Sequence, residues 1–320
     1  ISNTLALSNS STITKTGSGL VTLSGSVSSS NSQTNTLTLA GDGALTLSGA
    51  ITDGASSGMI AMTQTNSNTV TLSGGSSNTY TGDTNVNAGT LKAGKASAFG
   101  SGSNITINGA TLDLAGNSQT VGSVTVGVNG GSIVNTGSSA TLTATTSFTF
   151  NNDAEHTLTI SSNLGGSSAT LTQAGAGVTT LSGTSTFGGG VTITAGTIAV
   201  TGNTNLGSST ATLTLDGGTL SLGTNGSNYT IANPISLTND STITNVGTDT
   251  VTMTGAISSG NAQNNTLTIA GTGAVVLSGA MTDGSSSGVL SLAQTNSNQL
   301  QVSNTGNTFT GGVMVSAGTL

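Results

Sequence analysis

Apolar and polar positions alternate with a period of two along most of the chain. Leu37, Leu39, Leu45 and Leu47 fall in one phase, and Thr36, Thr38 and Thr46 in the other. This alternation predicts short strands with one face buried. Glycine, asparagine and aspartate between the apolar runs supply the positive-φ positions that turns require. No segment shows the three-to-four spacing of an amphipathic helix, and the strong helix formers Glu, Lys, Arg and Gln are scarce. The expected chain is all-β, with many short strands and no helices.

The alternation is organised in repeats, which bear directly on architecture. Asn78 to Leu91 reads NTYTGDTNVNAGTL, Ser185 to Ile198 reads STFGGGVTITAGTI, and Asn307 to Leu320 reads NTFTGGVMVSAGTL. Each copy has an aromatic residue, a glycine, an alternating strand, and a closing Ala-Gly-Thr-aliphatic group. The residues that define the repeat structurally are Tyr80, Gly82, Ala88, Gly89 and Leu91 in 78–91. They are Phe187, Gly189, Ala195, Gly196 and Ile198 in 185–198, and Phe309, Gly311, Ala317, Gly318 and Leu320 in 307–320. A longer period joins residues 1–91 to 231–320: TLTLAGDGALTLSGAITDGASSG from Thr36 returns as TLTIAGTGAVVLSGAMTDGSSSG from Thr266. A shorter module runs from Gly-x-Gly to Leu-Ser-Gly, as at Gly17, Gly19 and Leu23-Ser24-Gly25, or Gly41, Gly43 and Leu47-Ser48-Gly49. Another begins at Phe99-Gly100 and returns at Leu206-Gly207.

Among all-β architectures, sandwiches and barrels need no tandem repeat, and propeller blades carry aromatic signatures that this chain lacks. A parallel β-helix, or β-solenoid, suits the pattern best. About three short strands per coil are expected, and coils of roughly 20–25 residues would give about 14 coils. The expectation is one continuous β-solenoid segment over 1–320, because solenoids lengthen by adding units rather than cores.

Composition then narrows the partners. The 320 residues include 49 glycines, one proline, no cysteine and no tryptophan, and only 4% are charged. Disorder usually accompanies high charge and few β-branched residues, which is the opposite of this pattern. Lys15, Lys92 and Lys95 are the only basic side chains apart from His156, too few for a phosphate-binding surface, so no nucleic-acid partner is expected. No stretch has the apolar length of a membrane helix. A net charge of -7 on so long a chain repels weakly, so self-association, end to end or lateral, is expected.

The three copies, with the Gly-x-Gly to Leu-Ser-Gly modules upstream, resemble the strand repeat of bacterial autotransporter passenger domains. Lys15-Thr16-Gly17-Ser18-Gly19 with Leu23-Ser24-Gly25, and Asn78 to Leu91, carry the resemblance most closely. It implies a right-handed parallel β-helix in a secreted protein at the bacterial cell surface, an adhesin stalk or an extracellular filament. It carries over no catalytic residues.

Candidate chemistry is sparse. Gly17 and Gly19 lead into a strand rather than a helix, and Thr22 stands where a dinucleotide fingerprint has its third glycine. Asp53, Asp83 and Asp283 stand alone, whereas hard cations need several converging oxygens. Asp53 and Asp283 occupy equivalent turn positions that an aspartate caps. Asp153, Glu155 and His156 form the one charge cluster, expected as a solvated loop between strands at Phe148 to Phe150 and Thr157 to Ile160, and strand phase would put Glu155 and His156 on opposite sides. No catalytic, cofactor or metal residue is assigned, and a non-enzymatic role is expected. The alternative is a binding module. Thr-x-Thr pairs at Thr36/Thr38, Thr157/Thr159, Thr192/Thr194, Thr212/Thr214 and Thr266/Thr268 could bind ice if stacked on one flat face. A host or surface glycan is the other candidate ligand, although exposed aromatics for it are few.

Overall fold

In the computed structural model, strands pair in parallel with those one coil earlier, while strands adjacent in sequence pass to different sheets. Residues 1–54, 57–74, 77–223, 226–285 and 287–320 are described. Ala55, Ser56 and Ser286 of the matching TDG-x-SSG segments lie outside them. Among the described residues there is no helix, and every strand pair is parallel. The fold is a parallel β-solenoid, in two compact units of residues 1–166 and 167–320.

In the first unit, one long sheet stacks Ser11–Lys15, Asn35–Gly41, Ile60–Gln64, Thr84–Val86, Ile105–Ile107, Val124–Val126 and Ser147–Phe150. The second stacks Val21–Leu23, Leu45–Leu47, Thr69–Leu72, Thr90–Ala93, Ala110–Asp113, Gly131–Val134 and Thr157–Ile160. The third face is interrupted. It holds Leu5–Leu7, Val27–Ser29 and Ile51–Thr52, and then, after a gap, Gln119–Val121, Thr141–Ala144 and Asn163–Gly165.

The second unit repeats this plan. Its first sheet stacks Thr170–Gln173, Val191–Ile193, Leu213–Asp216, Ile235–Asn239, Ile257–Ser259 and Met281–Thr282. Its second runs from Val178–Leu181 through Thr197–Val200, Thr219–Leu222, Ser241–Asn245, Asn265–Gly271 and Leu290–Gln294 to Val313–Val315. Tyr229–Ile231, Val251–Met253, Val275–Leu277 and Leu300–Val302 make its third face.

Registry turns the alternation into columns. Leu37 lies on Met62, Met62 on Thr84, Thr84 on Ile105, and Ile105 on Val124. All five are fully buried. Each buried aliphatic side chain contributes roughly 1.5–3 kcal/mol. The outward column of the same sheet runs Thr12, Thr38, Thr63, Asn85, Thr106, Thr125 and Thr149. Coil length varies: Ile107 faces Val126, 19 residues on, whereas Ser11 faces Leu37, 26 residues on.

The Leu-Ser-Gly glycines mark a corner where successive coils touch through backbone. A Cβ on Gly49 would lie 2.0 Å from the Gly25 carbonyl oxygen, and one on Gly279 would lie 1.8 Å from that of Gly255. These positions admit no side chain.

Candidate functional site

The repeated segments build a coil whose irregular side is held by side chains rather than by a strand. In the first unit Asn78 replaces a peptide group there. Its Oδ1 accepts the Ile51 N–H at 2.9 Å from the coil before, and its Nδ2 donates to the Ala98 carbonyl at 2.7 Å in the coil after. Asn307 does the same for Met281 at 2.9 Å. The aromatic residue then turns inward. Tyr80 and Phe187 are fully buried, and Phe309 is half-buried. The glycine of the following module exists for this ring-bearing residue. A Cβ on Gly100 would meet the Tyr80 carbonyl oxygen at 2.2 Å, and one on Gly207 would meet that of Phe187 at 2.4 Å and its ring at 2.8 Å.

The buried phenol needs a partner, since an orphaned polar group in a core costs about 1–3 kcal/mol. Tyr80 Oη lies 2.9 Å from Thr84 Oγ1, which lies 2.9 Å from Ser103 Oγ. Burial pushes the Tyr80 phenol far above its ordinary pKa, and these hydroxyls only partly offset it. In the other two copies the aromatic residue is Phe, and the position four residues on is Val191 or Val313 instead of Thr84. Tyr goes with Thr, and Phe with Val. Tyr80→Phe alone is expected to destabilise by about 1 kcal/mol. Adding Thr84→Val is expected to recover most of that loss in a double-mutant cycle of denaturant midpoints.

At the closing group, Gly89, Gly196 and Gly318 have φ of +55°, +59° and +66°, in the left-handed region. Each sits on carbonyls of the coil below: Asn66 and Asn68, Gly175 and Gly177, and Asn296 and Asn298. Those corners are tied from inside by a buried amide that sequence reasoning missed. Gln64, Gln173 and Gln294 are fully buried at strand ends. Gln64 Nε2 donates to the Asn66 carbonyl at 3.0 Å, Gln173 to Gly175 at 2.8 Å, and Gln294 to Asn296 at 3.2 Å. The available signal was a glutamine in the apolar phase, two residues after Met62, Leu171 or Leu292.

Of the remaining repeat residues, Leu91 and Ile198 are fully buried, Gly82 is buried, and Ala88, Ala195 and Ala317 are half-buried. Gly189, Gly311 and Leu320 are exposed. Each copy acts within its own coil and the adjoining ones, so the copies form no common pocket.

Aspartates clamp coils together through threonine. Asp53 Oδ2 accepts the Thr81 N–H at 3.0 Å and its hydroxyl at 2.6 Å, while Oδ1 accepts the Ile60 N–H at 2.8 Å. Asp283 repeats this with Thr310 and Leu290. These donors, the Leu290 N–H foremost, hold the Asp283 carboxyl below the usual range. Asp113 takes the N–H and hydroxyl of Thr136 at 3.1 and 2.7 Å. Burial works to raise its pKa, but the Thr136 and Ala115 donors and the Lys92 charge outweigh that.

Folded pKa values below the unfolded ones mean stability that is complete above the unfolded carboxylate range and lost as pH falls through the folded values. The melting temperature is therefore expected to stay flat from pH ~7 to ~5 and to drop below about pH 4. A thermal melt series across that range checks it.

Asp153 and His156 do come together, with Nδ1 2.6 Å from Oδ1. The segment is the expected loop between Ser147–Phe150 and Thr157–Ile160, and Asp153 Oδ1 also accepts the Glu155 N–H at 3.0 Å. The His156 bond is the main cause that lowers the Asp153 carboxyl. No group of three His, Cys, Asp or Glu residues suited to a metal occurs among the described residues.

The threonine pairs divide between sheets. In the first unit Thr36/Thr38 lies on the first sheet and Thr157/Thr159 on the second. In the second unit Thr192/Thr194 and Thr212/Thr214 follow the first sheet, while Thr266/Thr268 lies on the second. The ice-binding alternative thus loses the single array it required. Among the described residues, no helix is long and apolar enough to cross a membrane.

Each buried glutamine lies one coil below the strand of its own repeat: Gln64 pairs with Val86, Gln173 with Ile193, and Gln294 with Val315. The family model of the passenger-associated-transport-repeat matches residues 62–93, 171–200 and 292–320. The chain carries three passenger-associated-transport repeats. Each begins two residues before its glutamine and spans one full coil together with the strand stacked on it. No curated protein and no solved structure matches the chain. Within the second unit, the repeat at 171–200 begins on the first sheet and that at 292–320 on the second.

Proposed function

We propose that this chain is a structural segment of the passenger of a secreted bacterial cell-surface protein of autotransporter type, serving as an adhesin stalk or extracellular filament. The observation that supports this most is the three passenger repeats, each closing one coil of a parallel β-solenoid. The role needs no catalytic chemistry, only a body that is stable outside the cell. Copies would associate with one another, end to end or laterally, which sedimentation velocity over a concentration series tests. Antibodies raised against the chain should label intact cells of the source bacterium. Labelling only after permeabilisation overturns the proposal.

Exposure outside the cell favours resistance to proteases, and the lysines suit that. Lys92 Nζ lies 3.8 Å from Asp113 Oδ2, Lys95 Nζ is buried, and Lys15 Nζ donates to the carbonyls of Thr16 and Gly17. Native protein is expected to survive trypsin at Lys92 and Lys95. Early cleavage at Lys92 or Lys95 in a time course contradicts this.

A further inference from the structure

The second unit contains a polar cleft of 360 Å³ lined by Gly217, Asn239, Asp240, Gln263, Asn264 and Asn265. It lies at a fault in the stacking. The register between Leu213–Asp216 and Ile235–Asn239 shifts after Leu215, so that Asp216 faces Asn239 and Thr238 is skipped. Bulges of this kind re-aim side chains and recur beside binding sites. Asp216 Oδ1 accepts the Thr238 hydroxyl at 2.8 Å and Asn239 Nδ2 at 2.6 Å, which fixes the bulge. Gly217, at φ +101°, turns the preceding coil away.

The long repeat provides an internal control. Residues 239, 240, 263, 264 and 265 correspond to Asn9, Ser10, Gln33, Thr34 and Asn35. Two scaffold bonds are the same in both copies. Asn35 and Asn265 Nδ2 donate to Leu7 and Leu237 at 3.2 and 3.1 Å, and Thr36 and Thr266 N–H donate to Ser10 Oγ and Asp240 Oδ1 at 3.0 and 2.7 Å. A hydroxyl therefore suffices for the fold at position 240. The second copy instead places a carboxylate there, whose Oδ2 makes no hydrogen bond among the described residues, and an amide at Asn264 where the first copy has Thr34; Asn264 Oδ1 accepts the Val289 N–H at 3.4 Å, which leaves its Nδ2 to donate.

Ligand chemistry follows by elimination. All six lining residues are polar or glycine, so an apolar ligand gains nothing. Asp240 disfavours an anion. One carboxylate with neutral amides offers too little converging charge for a hard cation. An acceptor-only carboxylate beside amides that both donate and accept suits adjacent hydroxyls. We infer that this cleft binds a neutral saccharide through vicinal hydroxyl groups, with Asp240, Gln263 and Asn264 as its recognising side chains. This goes beyond the proposed structural role and does not depend on it. Without an aromatic platform, affinity should be in the millimolar range.

The test is saturation-transfer NMR of the whole chain with methyl α-mannopyranoside, methyl β-galactopyranoside and N-acetylglucosamine, each at millimolar concentration, with calcium titrated in parallel. The comparison protein is Asp240→Ser with Asn264→Thr, which installs the residues that the same scaffold already carries at Ser10 and Thr34 and should melt like the parent. Transfer to at least one sugar, weakened about tenfold or more in the variant, is the expected result. No transfer to any of them, equal transfer in both proteins, or calcium binding lost in the variant without sugar transfer overturns the inference.

Discussion

Gly279→Val is expected to cost about 3–5 kcal/mol and to open the second unit locally. The reason is distance. A Cβ at residue 279 would stand 1.8 Å from the Gly255 carbonyl oxygen and 2.5 Å from its carbonyl carbon. Both atoms belong to backbone, so no rotamer change relieves the overlap. The coils must separate at that corner, and the hydrogen bonds from the Ser278 and Gly279 N–H to the Met253 carbonyl, at 2.9 and 3.2 Å, are lost with the contact. Solenoid stability is close to a sum of coil and neighbour terms, so damage stays near the altered coil. Hydrogen exchange should show deprotection centred on Ser278 to Met281, with strands such as Thr170–Gln173 unaffected. Wild-type exchange throughout contradicts the close approach.

Phe187→Ala is expected to cost about 3–5 kcal/mol, read as a lowered denaturant midpoint. Phe187 is fully buried, and Gly207 in the next coil brings backbone directly onto its ring. A truncated side chain leaves a hollow that this rigid neighbour cannot fill. Phe187→Leu should recover part of the loss, because the site asks for apolar volume and Val191 leaves no polar group to satisfy there. A cost below about 1 kcal/mol for the alanine variant would mean that the coil collapses freely, contrary to this packing.

The parallel solenoid was legible because strand phase and tandem repetition point the same way, and both survive in a single sequence. The inward positions of Leu37, Leu39, Leu45 and Leu47 follow from alternation alone. The inward aromatic at Tyr80 and Phe187 followed from its recurrence. The glutamines were hidden because a polar residue in the apolar phase reads as an exception, and only the corner carbonyls explain its burial. The stretch from Met62 to Gly74 was also missed as part of the first repeat. Gln64 to Asn68 returns unchanged at Gln294 to Asn298, but the copy at 173–177 keeps only the glutamine of that run, and what all three share is position beneath the strand above. Strand phase separated Glu155 from His156 but was silent on Asp153, which the turn between the two strands brings onto the His156 ring. Asp53 and Asp283 were read as caps of their own turns, yet each also reaches a threonine in the next coil, a contact that local sequence cannot show.

The two passenger repeats of the second unit begin on different sheets. Their outer surfaces therefore point in different directions, although both carry the same Thr-Phe, Gly-Gly-Val and Ala-Gly-Thr groups. A bivalent antibody or receptor specific for that surface would reach both only by bending around the body. Repetition here multiplies epitopes without multiplying avidity, because simultaneous engagement depends on both sites lying within the span of one partner.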